Sequence, residues 1–318
     1  MPCFRPDAEY VLRRLRIETG VFRRLAQTAL VGLIVAGAPA RAEVPTRSPA
    51  SESAAPAPHA TVSLSAMFAP GDTLPINSAL NWRVFDARAD ADGGHTLVAE
   101  SNQASPSFSL PDGDYIVHVG CGLAGAAKQI SVNGGPVIEK VTMNAGALKI
   151  SGLLGDAPVP PARLSIQLFL PDHNDPEAKL ILPNLKANEA ECLPEGAYHV
   201  VSHLLDATPG ATNTPTNSTV YADLRVQAGK LTAGALRHRA ANMTLKLVNS
   251  GGGEALANTS FSILTPGGDV IRELIGAFPS LVLAEGEYVA IARHDNKTYQ
   301  ATFKVVSNQD RDVEVLAQ

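Results

Sequence analysis

From Thr61 onward, apolar and polar residues alternate in short runs, as in TVSLS at 61–65, NWRVFD at 81–86 and TFKV at 302–305. A period of two puts one face of an extended strand in a core and the other in water. Clusters of Gly, Pro, Asp and Asn punctuate the runs, and no stretch keeps a 3.6-residue period for three turns. The body of the chain is therefore expected to be all-β. Residues 43–60, EVPTRSPASESAAPAPHA, differ: Pro, Ala and Ser dominate and almost nothing could be buried, which reads as an extended tether.

The runs repeat. Leu110, Pro111, Asp112, Gly113, Asp114 and Tyr115 recur as Leu193, Pro194, Glu195, Gly196, Ala197 and Tyr198, and again as Leu283, Ala284, Glu285, Gly286, Glu287 and Tyr288. An apolar strand follows each copy. Upstream, ALNWRVFD, RLSIQLFL and TSFSIL correspond, preceded by TVSLS, ALKIS and TLKLV; downstream, QISV, DLRV and TFKV match. Landmarks in one order three times define three modules, at 61–144, 145–240 and 241–318.

Units of this size, with some seven short strands each, have the rhythm of an antiparallel, immunoglobulin-like or prealbumin-like β-sandwich. The shared turn has a mechanical reading. Leu ends one strand facing the core, Pro and the acidic residue open the turn, Gly supplies a backbone conformation that a side chain would obstruct, and Tyr starts the next strand. In immunoglobulin-like sandwiches such a tyrosine buries its ring and bonds its hydroxyl to nearby backbone. Tyr115, Tyr198 and Tyr288 are accordingly structural. Trp82 aligns with Ile166 and Phe261 and belongs to a core strand rather than to a sugar-stacking platform.

Residues 1–42 carry seven arginines against three acidic residues, then an apolar run and the small-residue site Ala40, Arg41, Ala42. This is the grammar of a secretory signal cleaved after Ala42, with periplasmic or secreted localisation. The alternative is an uncleaved N-terminal anchor in the inner membrane, the only route to a membrane partner; a start codon placed too far upstream also accounts for the long basic region. The whole chain has net charge −5, and without these residues it is −9. Nucleic acid is a poor partner for that surface.

Two cysteines remain, Cys121 and Cys192, in a compartment that permits oxidation. Cys121 ends the strand after the first corner and Cys192 precedes the second corner. Placed at opposite outer ends of stacked modules, they are expected not to bond.

Catalytic and ligand chemistry is sparse. His199 and His203, four apart on a strand, are too distant to share a zinc ion. Arg88, Asp90, Asp92 and Gly93 resemble part of a calcium loop, but arginine fills the first ligand position and Ala99 the twelfth, so a hairpin turn is expected. His173, Asp175 and Glu177 read as a solvated loop, with a metal site as the alternative. Gly251, Gly252 and Gly253 lead into no helix, and neither a nucleophile elbow nor a phosphate loop is present. No catalytic, cofactor-binding or metal residue is assigned.

The corner turn, its apolar strand and the short closing hairpin resemble the prealbumin-like modules known as carboxypeptidase regulatory-like or Cna-B-like domains, often found in tandem on exported proteins. The resemblance implies spacers, stabilising appendages or binding surfaces. Some members carry a Lys to Asn or Asp isopeptide link. Lys149 and Lys246 sit in the first strand of modules two and three, but they alternate with core leucines and isoleucine and should face solvent, and module one has Ser63 there. The link is not carried over.

The expected function is thus a non-catalytic protein-interaction or scaffold protein of the envelope. Its partner would be another envelope protein, met first at the variable segment 205–219. The alternatives are a carbohydrate-binding or polysaccharide-associated accessory protein, which calls for a planar row of exposed aromatics, and a hydrolase whose Ser, His or carboxylate converge in a cleft. Aromatics make up only 5% of the chain, which weighs against the carbohydrate reading.

Overall fold

A computed structural model describes residues 59–171, 179–208 and 213–318. The signal segment 1–42, the tether up to residue 58 and the loop of His173, Asp175 and Glu177 lie outside the described residues.

The strands form six sheets that pair into three sandwiches. In the first are β1 (His59–Met67), β2 (Asn81–Ala89), β3 (His95–Ser101), β4 (Ser107–Pro111), β5 (Gly113–Cys121), β6 (Ala124–Val132) and β7 (Val137–Thr142). They make one sheet of order β4-β1-β7 and another of order β3-β2-β5-β6. The second sandwich has β8 (Ala145–Leu154), the short β9 (Ala157–Pro158), β10 (Leu164–Leu170), β11 (Lys179–Leu182), β12 (Ala190–Pro194), β13 (Gly196–Leu205), β14 (Pro215–Val226) and β15 (Leu231–His238). Its sheets run β12-β8-β15 and β11-β10-β13-β14. The third has β16 (Ala240–Val248), β17 (Ser260–Leu264), β18 (Val270–Ile275), β19 (Ser280–Ala284), β20 (Gly286–His294), β21 (Lys297–Val305) and β22 (Arg311–Leu316), in sheets β19-β16-β22 and β18-β17-β20-β21.

Alternation makes the cores. In β1 the alternating buried residues are Ala60, Val62, Leu64 and Ala66, followed by buried Met67; in β16 they include Met243, Leu245 and Leu247. Trp82, Ile166 and Phe261 are fully buried at equivalent places in the facing sheets. Each such side chain is worth roughly 1.5–3 kcal/mol of burial, so three small cores are built mainly from aliphatic residues.

The sheets are not wholly antiparallel. In each three-stranded sheet the first and last strands of the sandwich pair in parallel, β1 with β7, β8 with β15 and β16 with β22. The chain therefore enters a sandwich at one end and leaves at the other. The corner lies at the leading end, because Pro111 pairs with His59, Pro194 with Ala145 and Ala284 with Ala240. From there β5, β13 and β20 run to the trailing end.

This polarity overturns the expectation for the cysteines. Cys121 stands at the trailing end of the first sandwich and Cys192 at the leading end of the second, so both face the same junction. They form a disulfide with Cα atoms 5.6 Å apart, inside the usual reach. The expectation failed because it placed the corner and the strand after it on the wrong ends, and end-to-end succession of the modules brings the pair together.

Two of the three corner glycines also differ from expectation, whereas Gly113 has a positive φ. Gly196 and Gly286 do not have left-handed backbones, and a Cβ there would meet the tyrosine ring only at ordinary contact distance, 3.7 and 3.6 Å.

Candidate functional site

The corner tyrosines occupy equivalent buried positions. Tyr115 donates to the Pro111 carbonyl at 2.9 Å, Tyr198 to Pro194 at 2.8 Å and Tyr288 to Ala284 at 2.9 Å, each four residues back. Burial raises all three phenols, Tyr198 to about 12. These rings are structural, and the functional chemistry must be sought elsewhere. The corners nonetheless set a register in which equivalent positions can be compared.

In that register the position six residues after one corner tyrosine meets the position six residues before the next. At the first junction these are Cys121 and Cys192, and the Leu123 amide donates to the Cys192 carbonyl at 2.9 Å. Gly122 permits the approach: its φ is +55°, and a Cβ on it would lie 2.6 Å from that carbonyl oxygen. At the second junction the equivalent residues are Leu204 and Val282, which share the second hydrophobic core although Val282 belongs to the third sandwich. Cys192 likewise joins the core of the sandwich before its own.

The second junction is polar. The Asp206 carboxylate accepts from the Thr208 amide at 2.9 Å and its hydroxyl at 2.8 Å, and from the Val282 amide at 3.2 Å across the junction. Asn217 donates to the Tyr288 hydroxyl and accepts from the Ala284 amide, both at 2.8 Å. Arg272 donates to the Pro215 carbonyl at 3.3 Å. The segment 205–219, read from sequence as a variable loop for an outside partner, therefore spends Asp206, Pro215 and Asn217 on the neighbouring sandwich.

Beside it a serine and a histidine do converge. Ser202 Oγ lies 3.0 Å from His238 Nε2, and Ser218 Oγ lies 3.1 Å from Nδ1. His238 is the last residue of β15, while Ser202 and Ser218 lie on β13 and β14, so the imidazole ties the two sheets together at the trailing end. Burial holds it below the ordinary histidine range, with a smaller contribution from His203 in the same direction; a Ser218 hydrogen bond opposes both. Ser202 and His238 are 0% exposed. The second partner of the ring is a hydroxyl, which cannot stabilise an imidazolium as a carboxylate does. The arrangement suits a strut, since a substrate cannot reach the hydroxyl. Sequence reading missed it, although His238 follows Leu236 at the inward period of β15.

A cleft of about 360 Å³ opens at this junction, lined among others by Asn217, Arg237, Arg239 and Glu285. Its cations are paired: Arg239 makes two 2.9 Å bonds to Glu285, and Arg237 bonds to Asp156 and, at 2.6 Å, to the Gly155 carbonyl.

The remaining candidates separate. His199 pairs with Asp223 at 2.7 Å and His203 with Thr219 at 3.0 Å. Residues 90–94 form the β2–β3 hairpin turn, with Asp90 and Gly94 bonded through their backbones at 2.9 Å. Among the described residues no group of three His, Cys, Asp or Glu side chains is placed to hold a metal. Lys149 is exposed. Lys246 is not free in solvent as expected: its Nζ lies 2.7 Å from Asp312 and 3.6 Å from Glu314 on β22. The Asp312 hydrogen bond raises its pKa, keeping it an ammonium ion without a nucleophilic lone pair.

One outer face stands out. On the sheet β11-β10-β13-β14, Phe169, His199 and Tyr221 follow one another across three strands, with centroids 6.3 Å apart edge to face and 5.8 Å apart stacked. Tyr221 is 64% exposed. Among the described residues no helix is long and apolar enough to cross a membrane.

Comparison with known proteins adds the following. The family model described as the Rhizobiales growth-associated tandem repeat domain matches residues 242–317. No curated protein matches the chain. Among solved structures it is similar to the Bacillus anthracis TIE protein, at 15% identity and TM-score 0.24, over 81% of this chain and 51% of that one. It is also similar to a streptococcal ancillary pilin, at 11% identity and TM-score 0.30, over 82% and 99%. A third is BcpA, the major pilin subunit of Bacillus cereus, at 9% identity and TM-score 0.22, over 82% and 100%. The chain spans about half the length of the TIE protein. At the level of fold, the chain shows one sandwich strand order three times in tandem.

Proposed function

We propose that this chain is an exported, non-catalytic scaffold or protein-interaction protein of the periplasm or cell envelope. It would comprise a signal at 1–42, a tether at 43–60 and modules at 61–144, 145–240 and 241–318. The observation that carries this reading is where the polar chemistry goes: the buried serines, histidine, aspartate and corner tyrosines are spent on holding sheets and modules to one another. What is left to meet a partner is surface presented on a frame. The test is to express the full chain in its native envelope, crosslink, and recover it. Loss of the first 42 residues by mass, with the same envelope protein recovered in each replicate and lost on disrupting one outer face, supports the reading. A cytoplasmic, uncut chain contradicts it.

A second reading, carbohydrate binding, is favoured by the row of Phe169, His199 and Tyr221. Aromatic faces stack on sugar rings, and the adjoining Asp223 supplies a hydrogen-bonding group. Sedimentation with insoluble polysaccharide, abolished by Tyr221→Ala, would support it over the first. Equal sedimentation of both proteins would remove it.

A further inference from the structure

We propose that the Cys121–Cys192 disulfide makes the first junction a redox-operated hinge, fixed when oxidised and free to open when reduced, while the second junction is indifferent to thiol chemistry. The two junctions use the same positions in the repeat but different chemistries. Six hydrogen bonds with side-chain partners cross the second among the described residues, involving Asp206 once, Asn217 twice, Arg239 twice and Arg272 once. Among the described residues the side-chain hydrogen bonds include none that crosses the first. There the backbone supplies the Leu123 amide to the Cys192 carbonyl at 2.9 Å and, where the chain passes between modules, the Ala145 amide to the Phe68 carbonyl at 3.0 Å. The disulfide stands where the polar network stands in the other junction.

Its topology suits the task. The linked residues are 71 apart in sequence, and the closed loop contains β6 to β11, strands of both modules. A bond closing so long a loop across a junction removes much of the freedom of the two bodies to separate. Cys192 is buried and Cys121 only partly so, which makes Cys121 the more accessible residue for a reductant. A dithiol attacks the Cys121 sulfur as a thiolate, releases the Cys192 thiolate, which takes up a proton, and then closes on itself to free Cys121 as a thiol. Two electrons pass from the dithiol to the pair. In reverse, the two thiols give two electrons and two protons to a disulfide-bearing oxidant, which becomes a dithiol.

Amide hydrogen exchange on the full chain tests this, read at Leu123 for the first junction and at Val282 and Ala284 for the second. Reduction is expected to speed exchange at Leu123 by about tenfold or more and to leave Val282 and Ala284 unchanged. The double variant Cys121→Leu, Cys192→Val carries the residues of the second junction, Leu204 and Val282, at the same repeat positions, which favours its folding. It should exchange fast at Leu123 with or without reductant. Slow exchange at Leu123 in the reduced protein overturns the proposal. So does equal acceleration at Val282 and Ala284, or a pair of free thiols in protein from an oxidising medium.

Discussion

Cys121 and Cys192 belong to different β-sandwiches, yet lie six residues after one corner tyrosine and six before the next, with their Cα atoms 5.6 Å apart. The relationship follows from polarity. Because the first and last strands of each sandwich are parallel, the corner marks the leading end and the strand after it reaches the trailing end. Any residue six after a corner must then face the next module.

The corner tyrosines hold their turns through one hydrogen bond each. Tyr198→Phe keeps the buried ring and removes the donor to Pro194, and should lower stability by about 1–2 kcal/mol in urea denaturation. Spectrophotometric titration of the phenols should show Tyr198 ionising near 12. Since its folded value lies above the ordinary value of 10, the stability it contributes is complete below pH 10 and is lost as the pH rises toward 12.

His238 confers acid sensitivity. Burial depresses its pKa, so below the ordinary histidine value of 6.5 the unfolded chain takes up a proton that the folded chain resists. Its contribution is complete above 6.5 and falls away as the pH drops through the folded value. His238→Met, copying Met143 at the equivalent place, should cost about 1–3 kcal/mol at pH 7.5 by leaving Ser202 and Ser218 unpaired. It should also flatten the dependence of stability on pH below 6.5.

Asn217 couples the second module to the third. Asn217→Ala removes the bonds to the Tyr288 hydroxyl and the Ala284 amide, and should weaken that junction by about 2 kcal/mol. Exchange should accelerate at Ala284 and Val282 while remaining slow at Leu123 in the oxidised protein.

Much of the fold was legible because it is local. The turn that ends in Tyr115, Tyr198 or Tyr288 carries its own chemistry, and the inward period of strands such as TVSLS and TLKLV identifies a core without reference to distant residues. What escaped depends on relations between modules. The Cys121–Cys192 bond requires knowing that β1 and β7 run parallel, which no window of sequence states. Segment 205–219 looked variable because Asp206, bonded to Thr208 of its own module, also reaches Val282 of the next, and Asn217 answers to Ala284 and Tyr288 there. The strut at His238 is formed by three residues from three strands, visible singly as inward polar residues but not as a set. Phe169, His199 and Tyr221 were likewise scattered in sequence, and only the register of β10, β13 and β14 lines them up.

The central claim is that one frame is repeated with one junction geometry, and moving the cross-link by one module tests it most directly. In a chain carrying Cys121→Leu, Cys192→Val, Leu204→Cys and Val282→Cys, peptide mapping under oxidising, non-reducing conditions should recover residues 204 and 282 as a linked pair. Two free thiols at those positions in a folded protein would contradict the repeated junction.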